Sequence, residues 1–504
     1  MNIIALKNVP LILLSLFWAG CVQNESRVLL RAPVVGIIQN NRVPVLIKTV
    51  ADGKVRIEYK STENLSSSRF TEWQKLSEDT GHSMSLILTD LEYNTEYEYR
   101  VEHKKGDPSE WFKFRTFPTQ GIPGKFKFVF SACLREKYMG YDVFDRIERI
   151  QPTFVALLGD QMYADYDGNL NDLERYLDNQ TLQTKMAANG EMVLNDKTVL
   201  EAFRNKYDRV FDENYQEMAS RIPLMAIWDD HDYGKDNSDG TYPYKMEARK
   251  AFKENYPDYE FIKCDGGIYY KFSVTDVDVF VLDTRWYRSP MQNEDSETKT
   301  MLGREQLDWF LNGLKKSNAK FRIVFSSVSL NEYGGDTSSG RDGFDNWMSY
   351  TYQRGEIFQY INDNDIKGVM VFSGDQHYPS AHILNWKSPL NPVSTTDVSI
   401  EYSLEDMGNA VFDFSASPLN YKIATGHPIK QTHQESPGHA YEIFRPEWAK
   451  PENKKPSDEI IITSVYGVVE MDTSGPEANV SVKFFELNPE TTEMAEIYQI
   501  KITD

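Results

Sequence analysis

Two rhythms of apolar and polar residues divide the chain. From about Val28 to Thr119 the period is two. Val45–Lys48, Val55–Tyr59 and Ser85–Leu88 are strand-like, and from Asp90 to Val101 alternate positions are apolar or aromatic. The Pro/Gly stretch Phe117–Gly124 breaks this pattern. Beyond it, apolar runs at Phe126–Phe130, Phe154–Leu158, Leu224–Trp228, Val277–Leu282, Phe321–Phe325 and Gly368–Phe372 predict strands. Helical stretches fall between them at Val143–Ile150, Leu200–Ala219 and Glu305–Leu314, the last with Leu307, Phe310, Leu311 and Leu314 on one face. Continuous apolar runs suit strands covered on both faces, so residues 125–504 are expected to form an α/β domain, a two-sheet α/β sandwich. An all-β sandwich over residues 28–119 precedes it. Glu459–Val469 and Val480–Phe485 return to β and are expected to complete a second sheet.

In the first region, a Leu before a turn and the Tyr97-x-Tyr99-x-Val101 strand resemble the late strands of an immunoglobulin-like or fibronectin type III (Ig/FnIII-like) sandwich. Such a domain is either a spacer or a module binding carbohydrate or protein.

At the N-terminus, Val9–Gly20 is a short apolar stretch ending in Trp18-Ala19-Gly20-Cys21. It is too short to span a bilayer and reads as an export signal over residues 1–21. Small residues before Cys21 resemble a bacterial lipobox, with Trp18 in place of the usual Leu. This predicts an exported lipoprotein, periplasmic or at the cell surface, whose membrane contact is a lipid on Cys21; a plain cleaved signal is the alternative.

The 504 residues carry a formal charge of −21. A surface this acidic excludes a nucleic-acid-binding role and repels anionic lipid. An anionic substrate then needs local positive charge, from metal ions or a few arginines. The cysteines are Cys21, Cys133 and Cys264; in an exported chain the last two could pair.

The chemistry collects where the strands end. Phe126–Phe130 runs into Ser131-Ala132-Cys133, and Phe154–Leu158 into Gly159-Asp160-Gln161-Met162-Tyr163. Leu224–Trp228 is followed by Asp229-Asp230-His231-Asp232, Val277–Leu282 by Asp283-Thr284-Arg285, and Gly368–Phe372 by Ser373-Gly374-Asp375-Gln376-His377. Ligand sites in α/β folds lie at the carboxyl ends of strands. Thiolate, carboxylate, phenolate and imidazole are metal ligands. Cations would neutralise the crowded carboxylates and free an imidazole for proton transfer.

These motifs, in this order, resemble the calcineurin-like metallophosphoesterase superfamily and, within it, the PhoD-like alkaline phosphatases. Ser131-Ala132-Cys133 stands where the superfamily has Asp-x-His. Gly159–Tyr163 is similar to the G-D-x-x-Y of that branch, Trp228–Asp232 to W-D-D-H-[DE], Leu282–Arg285 with Arg288 to L-D-T-R-x-x-R, and Ser373–His377 to S-G-D-x-H. The resemblance implies a dinuclear centre: Fe³⁺ on Cys133, Asp160, Tyr163 and His377, and Ca²⁺ or another divalent ion on Asp160, Asp230 and Asp375, with Asp160 bridging. It implies a metal-bound hydroxide attacking phosphorus and His231 protonating the leaving group. Arg285, Arg135 and Arg288 would grip phosphate oxygens, and Asn237 would line the substrate mouth. Asp229 either orients a ligand or is solvated. Many relatives carry an Asn or His ligand where Ser327 stands here, so the second ion is expected to be held loosely or to take a water.

Asp236–Gly240 and Asp165–Gly168 resemble fragments of calcium loops without the full spacing and are expected to be turns. His382, His427, His433 and His439 are isolated and expected at the surface or in the core. The functional expectation is a phosphoester hydrolase acting on monoesters. A phosphodiesterase with phospholipase-D-like activity and a non-catalytic surface binding protein are the alternatives. The oligomeric state is not readable from the sequence.

Overall fold

The computed structural model describes residues 28–63, 67–138, 142–165, 196–331, 345–385, 399–423, 441–450, 453, 462–488 and 493–504. The signal segment with Cys21, the end of the Asp165–Gly168 stretch, and His427, His433 and His439 lie outside them.

Residues 28–116 form an antiparallel β-sandwich. One sheet has the strands Val34–Val35, Val43–Lys48 and Ser83–Leu88; the other is built around Gly53–Ser61, Glu96–His103 and Phe112–Arg115. Tyr97 and Tyr99 point into its core, and the Tyr97 hydroxyl accepts the Glu92 N–H at 2.9 Å, pinning the turn before its strand.

The following domain stacks two seven-stranded sheets. In the first the order is Leu224–Ile227, Phe154–Leu158, Lys125–Ser131, Val465–Asp472, Asn479–Leu487, Met494–Thr503, Ser399–Ser403. In the second it is Tyr270–Val274, Val277–Val281, Arg322–Phe325, Val369–Ser373, Val411–Ser415, Ser380–Leu384, Tyr441–Phe444. Each sheet has a parallel segment: Lys125–Ser131 with its two neighbours toward Leu224, and the four strands from Val277 to Ser415. Phenylalanines join the sheets, with Phe128 edge-on to Phe325 and Phe372 at 5.7 and 5.2 Å, and Phe130 against Phe372 at 4.9 Å. Helices Gly303–Lys316 and Thr351–Asp363 cover the outside of the second sheet through Leu307, Phe310, Ile357 and Phe358.

Two expectations change. The C-terminal strands do not begin another sheet; Val465–Asp472 pairs antiparallel with Lys125–Ser131, so they extend the first. The expected Leu200–Ala219 helix is two, Asp196–Val210 and Glu213–Arg221. The break falls at Asp212, whose carboxylate accepts the Tyr215 N–H at 2.9 Å and so starts a new helix.

Candidate metal centre

The two parallel segments point their carboxyl ends the same way, and the turns leaving them meet. The turns fit because two positions lack a side chain. A Cβ on Gly159 (φ +107°) would stand 2.5 Å from the Asp229 Cβ, and one on Gly374 would stand 2.1 Å from the Ala132 Cβ. Backbone bonds fix the approach: Cys133 N–H donates to Gly159 O (3.1 Å), Leu134 N–H to Asp160 O (2.7 Å), and Gly374 N–H to Ser327 O (3.1 Å). Cys133, Asp160, Asp375 and His377 all have left-handed backbone, φ 52–65°. Non-glycine residues avoid that region, and strain of this kind gathers at functional sites.

The side chains converge accordingly. Ligand atoms of Cys133, Asp160 and His377 lie within 4.8 Å of one another; so do those of Asp160, Asp230 and His231, and those of Asp229, Asp230 and Asp375. Cys133 Sγ is 3.7 Å from Asp160 Oδ2, and the Tyr163 hydroxyl is 3.5 Å from His377 Nε2. Thiol, phenol and imidazole therefore occupy one end of the pocket and carboxylates the other, and the middle group links them, sharing Asp160 with the first and Asp230 with the last.

The electrostatics call for cations. Burial, reinforced by Asp160, pushes the Cys133 thiol well up, and burial with Cys133 and Asp160 does the same to the Tyr163 phenol. Asp160 and Asp375 are held well above the usual carboxylate range by burial and by neighbouring carboxylates, chiefly Asp230 and Asp229 respectively. A bound cation reverses that order and stabilises every deprotonated ligand. Asp229 Oδ2 and Asp230 Oδ1 are buried and find no hydrogen-bond donor among the described residues. Buried carboxylate oxygens are otherwise satisfied, so these two fit metal ligation.

His231 is buried, with its ring 4.2 Å from that of Tyr163. Its Nδ1 is 2.7 Å from Asp165 Oδ1, and its Nε2 is 3.9 Å from Asp236 Oδ1. Burial alone would lower its pKa, but Asp165, Asp230 and Asp160 outweigh burial and hold it well above 6.5.

Each arginine expected to grip phosphate has protein partners. Arg285 is fully buried; it donates from Nε to Asp229 Oδ1 (2.6 Å), from Nη1 to Ser238 O (3.2 Å), and from Nη1 and Nη2 to Asp345 (3.1 and 2.6 Å). Arg288 donates to the Tyr350 hydroxyl (3.0 Å) and pairs with Asp345 (2.9 Å). Arg135 lies nearer the pocket; its Nη1 donates to the Tyr421 hydroxyl (2.8 Å), and its guanidinium sits 5.7 Å from the Tyr163 ring. Asn237 contributes its backbone, donating N–H to Asp230 Oδ2 at 2.7 Å.

Asp229 is neither solvated nor loose. Ser327 donates to its Oδ1 at 2.7 Å beside Arg285, which leaves Oδ2 turned to the pocket. The hydroxyl expected to be a poor ligand therefore orients a carboxylate instead.

Partners that sequence reasoning left without a role are Asp165, Asp232, Glu136 and Asp345. Asp232 accepts N–H bonds from Gln161 (2.8 Å), Met162 (3.3 Å) and Asp229 (3.1 Å), stapling two ligand turns together. The Asp236–Gly240 segment is a turn, Asp239 accepting from Thr241. His382 is buried and belongs to none of the three ligand groups. Cys133 and Cys264 are both free, one buried and one exposed, so the disulfide does not form.

This architecture is that of the phosphatase sandwiches. Similar solved folds are a PhoD structure (19% identity, TM-score 0.63, covering 92% of this chain and 91% of that one) and the purple acid phosphatase PPD1 of yellow lupin, Lupinus luteus (12%, 0.53, 94% and 75%). Residues 128–465 match the model of the PhoD-like phosphatases, and residues 40–116 that of the purple acid phosphatase N-terminal domain. The chain belongs to the PhoD-like phosphatase family. A curated relative, alkaline phosphatase D of Bacillus subtilis (strain 168), is 24% identical over 360 residues, 66% of this chain. The chain spans 58% of that relative's length.

Proposed function

We propose that the protein hydrolyses phosphoric esters at this pocket with two cations bound. The observation that carries the reading is the meeting of Cys133, Asp160 and His377 with Asp229, Asp230 and Asp375, each set within 4.8 Å. The thiol–phenol–imidazole end suits Fe³⁺; the carboxylate end suits Ca²⁺ or another hard divalent ion. Such a pair clamps a phosphoryl group and acidifies a bound water. Asp160, which groups with Cys133 and His377 and also with Asp230, would serve as a ligand to both cations. Asp165 holds the His231 ring through Nδ1, leaving the Nε2 proton for the departing oxygen. Arg285 and Ser327 hold Asp229 in place.

Arg285 is occupied by Asp229 and Asp345, whereas Arg288 Nη1 is buried without a hydrogen-bond partner among the described residues, so a monoester and a diester are both readings of the substrate. Comparing p-nitrophenyl phosphate with its bis-ester, alongside elemental analysis, tests both readings. Hydrolysis of neither with Fe, Ca, Mn and Zn supplied overturns the assignment.

The protein is further proposed to be exported and tethered through lipid on Cys21, on the sequence of its first 21 residues. Cys21→Ala should move it from the membrane fraction to the soluble fraction; unchanged fractionation would refute the anchor.

A further inference from the structure

The N-terminal sandwich is not merely appended. Tyr99 donates its hydroxyl proton to Ser220 O at 2.9 Å across a buried interface. The sandwich rests mainly on helices Glu213–Arg221 and Lys245–Asn255, and through Asp208 it also reaches helix Asp196–Val210. Lys48 of the sandwich donates to Asp208 Oδ1 (2.5 Å) and to Asn255 Oδ1 (3.2 Å). Arg31 joins them, donating to Asn255 Oδ1 at 2.9 Å with its guanidinium 3.6 Å over the Phe211 ring. On the same helix Arg204 forms a two-pronged pair with Glu254, both contacts 2.6 Å, where a Cβ on Gly81 of the sandwich would collide.

The helix also reaches the pocket. Lys206 is fully buried and donates to Glu136 Oε1 at 2.6 Å. Glu136 follows Cys133 by three residues, and its Oε2 accepts the Tyr163 N–H at 3.4 Å. One ion pair thus ties the turns carrying Cys133 and Tyr163 to the helix. Tyr207, next along, is wholly buried with Asp232 close by, the carboxylate that staples the Asp160 and Asp229 turns.

We propose that the N-terminal sandwich is a positioning element of the metal centre, acting through helix Asp196–Val210: Lys48 and Arg31 hold the helix at Asp208, and its Lys206 holds Glu136 and, through it, the Cys133 and Tyr163 turns. This rests on the proposed function for what the turns ligate, but not for the coupling itself.

The experiment measures amide hydrogen exchange in the full chain for wild type, Asp208→Asn and Lys48→Met. The Asp208 side chain is 40% exposed and that of Lys48 only 6%, so Asp208→Asn is the milder of the two variants. Exchange over residues 131–137 and 159–165 should quicken by about tenfold while the sandwich strands Gly53–Ser61 and Glu96–His103 keep wild-type protection. Lys206→Met should quicken the same two segments without touching the sandwich. If turned over substrate is measured too, the Asp208 and Lys48 variants should lose kcat with KM little changed. Quickening confined to the sandwich, or wild-type exchange at both turns, overturns the proposal. A wild type that exchanges as expected in this series yet binds no metal refutes the proposed function and leaves the coupling standing.

Discussion

Each ligand residue does something here that its neighbours in sequence could not supply. Asp160→Asn removes the carboxylate that groups both with Cys133 and His377 and with Asp230 and His231. Metal content by elemental analysis should fall below one ion per chain and turnover by about a thousandfold or more; retention of both would refute the shared role. Asp165→Asn should cut kcat by about 10- to 100-fold, and His231→Gln by about 100- to 1,000-fold. Both losses should shrink for substrates with acidic leaving groups; a loss independent of leaving group would speak against proton donation. Away from the pocket, burial pushes Asp413 up to about 7, against lowering by the Asn331 N–H and Arg354. Its folded pKa exceeds the unfolded one, so the folded chain holds the extra proton between about pH 4 and 7 and stability falls as pH rises there. Asp413→Asn should therefore gain stability relative to wild type from pH 4.5 to pH 8, by on the order of 2–4 kcal/mol. Urea unfolding at the two pH values reads this directly, and a parallel pH dependence would contradict it. The ligand types were legible because their chemistry is in their side chains and they sit at strand ends. Asp165, Glu136 and Asp345 were not, because a carboxylate acquires its role only from a partner brought to it by folding. Arg285 meets the same limit: a planar fork beside a ligand motif suggests phosphate, and only the fold reveals Asp229 and Asp345 as its partners.

At the level of elements, period and turn chemistry carried most of the information. Helix Val143–Ile150 and strand Phe154–Leu158 match the reading residue for residue. Late strands were missed: Ser380–Leu384, wholly buried between two neighbours, carries Ser380 and His382 among its apolar residues, and Met494–Thr503 buries only alternate residues toward its end. The break at Asp212 was hidden because apolar periodicity continues through it, as Phe211 and Tyr215 stack at 4.6 Å. The turns leaving the strands were visible as motifs, but their left-handed backbone was not, since only Gly159 advertises it. Gly159→Ala combines a strained φ with a collision against Asp229. It should destabilise the fold by roughly 2–4 kcal/mol and weaken metal retention. A variant unchanged in both unfolding and retention would show that the two turns do not need this contact.

For the molecule as a whole, the charge of −21 sets how an anion arrives. Screening should raise kcat/KM for a phosphoester by about two- to fivefold between 10 and 200 mM salt. A fall over that range would point to a cationic entrance in the residues not described. The change of rhythm at Phe117–Gly124 is visible in the sequence; the contact between Lys48 and Asp208 is not, because they are 160 positions apart. The pairing of Lys125–Ser131 with Val465–Asp472 has a further consequence. A nascent polypeptide that has emerged only as far as His377 already possesses the proposed ligands, yet its first strand still has a bare flank. Closure of that flank waits until Val465–Asp472 has been synthesised.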